Sequence, residues 1–182
     1  MIDHKNIAEK TDIPLKGDPY KITSEVVDDA GTVLTCFFFN RGANFYVFSY
    51  HHKGSRHHTL IDTGDPTYRD RIESLLEDQK INPQGIERII ITHRHYDHCG
   101  LSDQLARKSG ATILVHSNFR NFIECPLSEE DRLWLRGFDP GRLRRCRVEY
   151  LSPREGNPAA VIDGLDFPFL SKSIPVGGAG HL

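Results

Sequence analysis

Aromatic and β-branched residues alternate along the first part of the chain, and a helical spacing takes over further on. Residues 32–39, Thr-Val-Leu-Thr-Cys-Phe-Phe-Phe, read as a strand. After a turn at Asn40, Arg41 and Gly42, residues 44–50 place Phe45, Val47 and Ser49 on one face and Tyr46 and Phe48 on the other, the pattern of a sheet packed on at least one side. A polar turn around Gly54 leads to a short strand over 58–62, so this region predicts a meander. Asp65-Pro66 then marks a helix start, because the aspartate can cap and proline at the first helical position loses no hydrogen bond. Tyr68, Ile72, Leu75 and Leu76 give that helix one apolar stripe.

Ile89-Ile90-Ile91 follows as a continuous apolar run, which predicts an interior strand covered on both faces. A short helix over 103–108, ending at Gly110, and a strand over 112–115 complete an alternation of strand and helix that implies layered α/β packing. Beyond His116, Ser128 and Asp131 resemble a capping box ahead of Leu133-Trp134-Leu135, with Gly137 and Pro140 as stops. Residues 146–151 read as a strand, 152–158 as a loop and 159–162 as another strand. Neither an internal repeat nor a dividing linker is evident, so residues 1–182 are expected to form a single domain.

Composition narrows this little. The chain has 182 residues, 38% hydrophobic and 26% charged, an ordinary globular balance with room for a sizeable core. A formal net charge of −2 supplies no overall pull toward nucleic acid or anionic membrane. Met1-Ile2-Asp3-His4-Lys5 opens a polar stretch without a signal-type apolar run, and no segment has the length of a membrane span; a cytoplasmic protein is the expectation. Cys36, Cys99, Cys125 and Cys146 form no Cys-x-x-Cys pair, which argues against a zinc knuckle or redox motif. Cys36 and Cys146 sit in apolar or strand-like runs and read as core.

The chemistry is concentrated where the isoleucine strand ends. His93, His95, Asp97 and His98 offer four metal ligands within six residues. His93 and His95 can turn toward one point, whereas Asp97 and His98, being adjacent, diverge toward a second point nearby. Imidazole nitrogen and carboxylate oxygen suit borderline divalent ions, zinc first, with iron and manganese as alternatives. Two such ions ~3.5–4 Å apart can hold a bridging hydroxide and stabilise the oxyanion formed by its attack.

The run Thr92-His93-Arg94-His95-Tyr96-Asp97-His98-Cys99-Gly100 resembles the His-x-His-x-Asp-His signature of the metallo-β-lactamase superfamily. Leu60-Ile61-Asp62-Thr63-Gly64-Asp65 is similar to that family's earlier strand-and-turn motif, and the spacing of the two is similar to that of glyoxalase II-like hydrolases. The resemblance covers residues 33–117 and is specific for the superfamily but weak for any one substrate. It implies His93 and His95 as ligands of a first metal, Asp97 and His98 as ligands of a second, and Asp97 as the catalytic group that orients the attacking hydroxide. It also implies that Asp62 is a buried residue supporting the metal loop, a role compatible with an Asx turn holding Thr63-Gly64. Gly64 and Gly100 are expected to permit tight turns.

The family further supplies a histidine, a bridging aspartate and a last histidine downstream. Here only His181 follows His116, and Asp163 and Asp166 flank Gly164, where a turn is the simpler role. The fold expected is therefore α/β, the first half of an αβ/βα sandwich plus a partial extension, and an incomplete domain. Its inner sheet would carry an uncovered apolar face, with self-association through that face. His116 is expected to be structural or solvent-facing. His51, His52, His57 and His58 flank a hairpin turn without a carboxylate at motif spacing and read as adventitious metal binders at most. His4 reads as a tail residue.

Hydrolysis of an ester, thioester or lactone-like acyl substrate by metal-bound hydroxide is the leading functional expectation. A phosphodiesterase or nuclease is the alternative, supported by Arg136, Arg142, Arg144, Arg145 and Arg147 and opposed by the nearby Glu129, Glu130, Asp131 and Asp139. A truncated, inactive metal-binding relative is the non-enzyme reading.

Overall fold

The computed structural model describes residues 20–39, 43–135 and 138–151. Residues 159–162, Gly137, Arg136, Asp163, Asp166 and His181 therefore lie outside the described residues, and so do the expectations placed on them.

Seven strands form one sheet whose order follows the chain: β1 (Tyr20–Val26), β2 (Val33–Phe39), β3 (Phe45–His52), β4 (Ser55–Ile61), β5 (Ile86–Ile91), β6 (Thr112–His116) and β7 (Arg147–Leu151). The first four pair antiparallel, as a meander must, and β4 through β7 pair parallel. The change of sense at β4 follows from the connections. Only a few residues separate the antiparallel strands in sequence, whereas each parallel neighbour is reached through helices: α1 (Arg69–Asp78) before β5, α2 (Tyr96–Cys99) and α3 (Ser102–Ser109) before β6, α4 (Arg120–Glu124) and α5 (Glu129–Trp134) before β7.

Apolar side chains of α1, α3 and α4 (Ile72, Leu75, Leu76, Leu105, Ala106, Ile123) pack in one cluster with Phe37, Phe45, Val47, Leu60, Ile89, Ile91, Ile113 and Val115 of the sheet. Strand alternation sends Ile90 and Leu114 to the other face, where Phe48, Ile61 and Leu151 gather round them. Ile89, Ile90 and Ile91 are all buried, as the apolar run predicts. Among the described residues no helix joins that second face's cluster.

Three local expectations need correction. Asp65 does cap, accepting from the Thr67 backbone N–H at 2.8 Å, but the turn it starts, Pro66–Tyr68, is a 3-10 turn, and α1 begins only at Arg69. Pro140 does not stop a helix; it opens another 3-10 turn, Pro140–Arg145, capped by the Asp139 side chain. The meander also begins one strand earlier than the sequence pattern indicates, with β1 hydrogen-bonded along the whole of β2. The N-cap half of the capping box holds: Ser128 Oγ accepts from the Asp131 backbone N–H at 3.0 Å, and the Asp131 carboxylate accepts from that hydroxyl at 2.7 Å.

Candidate metal centre

Two loops meet at the carboxyl ends of β4 and β5. The first leaves β4 through Asp62, a non-glycine residue at φ 61°, and Gly64 at φ 79°, both in the left-handed region. Asp62 is held there by its backbone N–H donating to the Ile90 carbonyl at 2.8 Å, and an aspartate tolerates this conformation better than most residues. The second loop is stitched to the first by Thr63, whose N–H and hydroxyl both donate to the His98 carbonyl, at 2.7 and 2.9 Å, while Leu101 N–H donates to the same hydroxyl at 3.2 Å.

Asp62 is 3% exposed, and its carboxylate organises the second loop. Oδ1 accepts from the Thr92 N–H at 2.9 Å; Oδ2 accepts from the Thr92 hydroxyl at 2.7 Å and faces His98 Nδ1 at 2.7 Å. With the carboxylate able only to accept, Nδ1 of His98 carries a proton, and the lone pair of the neutral ring is at Nε2. His93 Nε2 and His95 Nδ1 lie 3.0 Å apart, and the His93 ring centroid is 4.7 Å from that of His95 and 3.8 Å from that of His98. Two nitrogens bound to one tetrahedral ion at about 2.0–2.1 Å would be separated by roughly 3.3 Å, so His93 and His95 already converge as ligands of one ion would. Burial, and then the neighbouring His98 and His95 rings, hold the His93 imidazole below its usual range, which keeps it neutral and able to ligate.

Asp62, His93 and His98 also offer three ligand atoms within 4.8 Å of one another. Because the Asp62 carboxylate is already committed to three donors, its arrangement fits that of a supporting residue, as the resemblance implies. Asp97, in the first turn of α2, does not join that group of three; its carboxylate opposes the depression of the His93 pKa and pushes the buried Cys99 thiol further up. His95 occupies the N-cap position of α2 without a side-chain capping bond, which leaves its ring free of the helix. Gly100 differs from the expectation. Its φ is −66°, so the backbone does not require glycine; an added Cβ would press on the Tyr96 carbonyl and sit 2.8 Å from Pro66 Cγ.

Elsewhere the structure separates what the sequence grouped. His58 is buried and its Nδ1 is bonded to Ser49 Oγ at 2.8 Å, while burial lowers its pKa to about 4. His57 points away from it, with Nδ1 2.8 Å from Glu87 and Nε2 3.2 Å from the His52 carbonyl, so β5 supplies a carboxylate that no local spacing reveals. His116 Nδ1 accepts from Asn118 N–H at 3.2 Å, a capping role of the structural kind expected, and its Nε2 is buried without a partner among the described residues. Arg142, Arg144, Arg145 and Arg147 are exposed, but they lie before or at the start of β7, the opposite end of the parallel strands from the metal loop. Thr92 and Thr63 are the residues that sequence reasoning missed. Their only signal is that each is a hydroxyl residue directly after, or within two residues of, an apolar strand end.

Among the described residues no helix is long and apolar enough to cross a membrane. A family model described as the metallo-beta-lactamase superfamily matches residues 41–174. A hydroxyacylglutathione hydrolase of Psychromonas ingrahamii is 32% identical over 85 residues, 47% of this chain and 31% of that protein. A metal-dependent hydrolase of Rhizobium meliloti is 34% identical over 71 residues, 37% of this chain and 28% of that one. The chain thus spans under a third of the length of either relative. Among solved structures, a putative metallo-beta-lactamase of Thermotoga maritima aligns at TM-score 0.43 and 23% identity over 74% of this chain and 58% of its own. A subclass B3 metallo-beta-lactamase of Bradyrhizobium japonicum aligns at TM-score 0.45 and 22% identity over 55% and 34%.

Proposed function

This chain belongs to the metallo-β-lactamase superfamily, and we propose that the protein it represents is a zinc-dependent hydrolase of ester, thioester or lactone-like acyl substrates. The observation that carries this reading is the 3.0 Å convergence of His93 Nε2 and His95 Nδ1 beside a His98 ring whose Nδ1 is fixed on Asp62. The donor set, three imidazoles and a free carboxylate, fits zinc, with iron or manganese as alternatives.

His93 and His95 would hold a first ion, and Asp97 with His98 Nε2 a second. Bound divalent zinc supplies a Lewis acid that makes water nucleophilic near neutral pH and draws charge from a carbonyl oxygen. The chain's own contribution is positional: Asp62 holds His98 by its Nδ1, and the Asp97 carboxylate, carried in the first turn of α2, would accept a hydrogen bond from the attacking hydroxide and orient it. An acyl substrate is supported by the Psychromonas relative, which bears the name hydroxyacylglutathione hydrolase. The phosphodiesterase alternative is less favoured, since the described arginines of its cluster, Arg142, Arg144, Arg145 and Arg147, lie at the far end of the parallel strands.

The test is a metal count and an assay on the purified chain. Two zinc ions retained after dialysis would count against the inactive, truncated reading, and in an active form turnover of an S-acylglutathione should be abolished by a chelator and by Asp97→Ala while one ion remains. Full activity in D97A would refute the two-ion arrangement, and a chain that retains no zinc would support the inactive, truncated reading.

A further inference from the structure

We propose that Thr92 is a positioning residue of the metal centre: its hydroxyl locks the His93 imidazole in the tautomer that turns an Nε2 lone pair toward the ion. A threonine hydroxyl has one proton to give. Asp62 Oδ2, at 2.7 Å, takes it, because a carboxylate can only accept. His93 Nδ1, 2.9 Å from the same oxygen, therefore meets a lone pair and must itself carry hydrogen. A neutral ring protonated at Nδ1 has its lone pair at Nε2, the atom that lies 3.0 Å from His95 Nδ1.

One carboxylate thus sets two rings by different routes. His98 is folded back by α2 and reaches Asp62 directly, at 2.7 Å. His93 follows Thr92 in the chain, and the hydroxyl bridges it to the same Oδ2. The β-branched side chain suits the bridge, since its χ1 is restricted and its backbone N–H is already held by Asp62 Oδ1 directly after β5. The separate bond from Thr92 N–H to Asp62 Oδ1, 2.9 Å, belongs to the backbone and survives any side-chain substitution, so the hydroxyl can be removed without freeing the carboxylate.

The consequence for metal binding rests on the reading of the site given above; the tautomer does not. Two variants of the full chain separate the parts: Thr92→Val removes the hydroxyl at nearly constant volume, and Thr92→Ser keeps it. Imidazole nitrogen NMR on the metal-free protein at pH 8 should find His93 protonated at Nδ1 in wild type and in T92S, and mainly at Nε2 in T92V. Competition with a chromophoric chelator should show zinc affinity ~10–100-fold weaker in T92V and within about threefold of wild type in T92S. His93 protonated at Nε2 in the wild type overturns the proposal without any variant being needed. So does T92S losing as much affinity as T92V, since the hydroxyl would then not be the cause. A wild type that binds no zinc would support the inactive reading of this chain given above, while the NMR arm still decides the role of Thr92.

Discussion

His58 and Asp62 stand four residues apart where β4 ends, and burial makes opposite demands on them. The Asp62 carboxylate is satisfied by three donors, the Thr92 N–H, the Thr92 hydroxyl and His98 Nδ1. His58, 1% exposed, is bonded to Ser49, and burial, then the charges of Arg56 and His57, keep it neutral with a pKa of about 4 against 6.5 when free. A folded pKa below the unfolded one means that the unfolded chain binds the extra proton. Stability from this residue is therefore intact above pH 6.5 and is lost as pH falls from there through about 4, by up to ~3 kcal/mol. Urea titrations at pH 7.5 and pH 4.5 should show that loss, and the double substitution Ser49→Ala/His58→Leu should flatten it; an equally steep fall in the double variant would assign it to other groups. None of this was legible in the sequence, where His58 is one of four histidines around a turn and its partner lies on the neighbouring strand.

The short helices and turns hold the two loops together, and there the sequence spoke unevenly. The capping box at Ser128 was legible because both partners are three residues apart. The Asp65-Pro66 signal identified a turn but not its kind, since the same cap and proline serve a 3-10 turn and an α-helix equally. Gly100 was legible as a constraint and misread as to cause: glycine is needed for space between α2 and the Pro66 ring, not for φ. Gly100→Ala is accordingly expected to cost about 1–3 kcal/mol by overpacking and to lower zinc affinity by displacing α2. A denaturation midpoint equal to wild type would count against that steric account. Arg94, by contrast, makes only a 4.0 Å contact with Asp131, both well exposed, and contributes little to holding α5.

At the scale of the molecule, the alternation of strand and helix was legible from periodicity, and the loop of histidines was legible from residue type. The long-range pairings were not. Tyr50 and His57 on β3 and β4 both reach Glu87 on β5, an association only the assembled sheet produces. β1 escaped notice because Tyr20 and Ile22 alternate with polar residues only briefly before Ser24 and Glu25. Zinc bridging groups fixed by the loops after β4 and β5 would stabilise the folded chain alone: at a free concentration ~100-fold above its dissociation constant the gain is about 2.7 kcal/mol, a rise in Tm of roughly 5–10 °C. A thermal scan with zinc and with chelator measures it, and identical curves would mean that the ion does not prefer the folded state. The chain-order sheet has a bearing on synthesis. Each strand, on leaving the ribosome, finds its partner already released, and the groups that organise the histidine cluster all lie between Asp62 and Leu101. The cluster can thus be assembled vectorially, while β6 and β7 have yet to be translated.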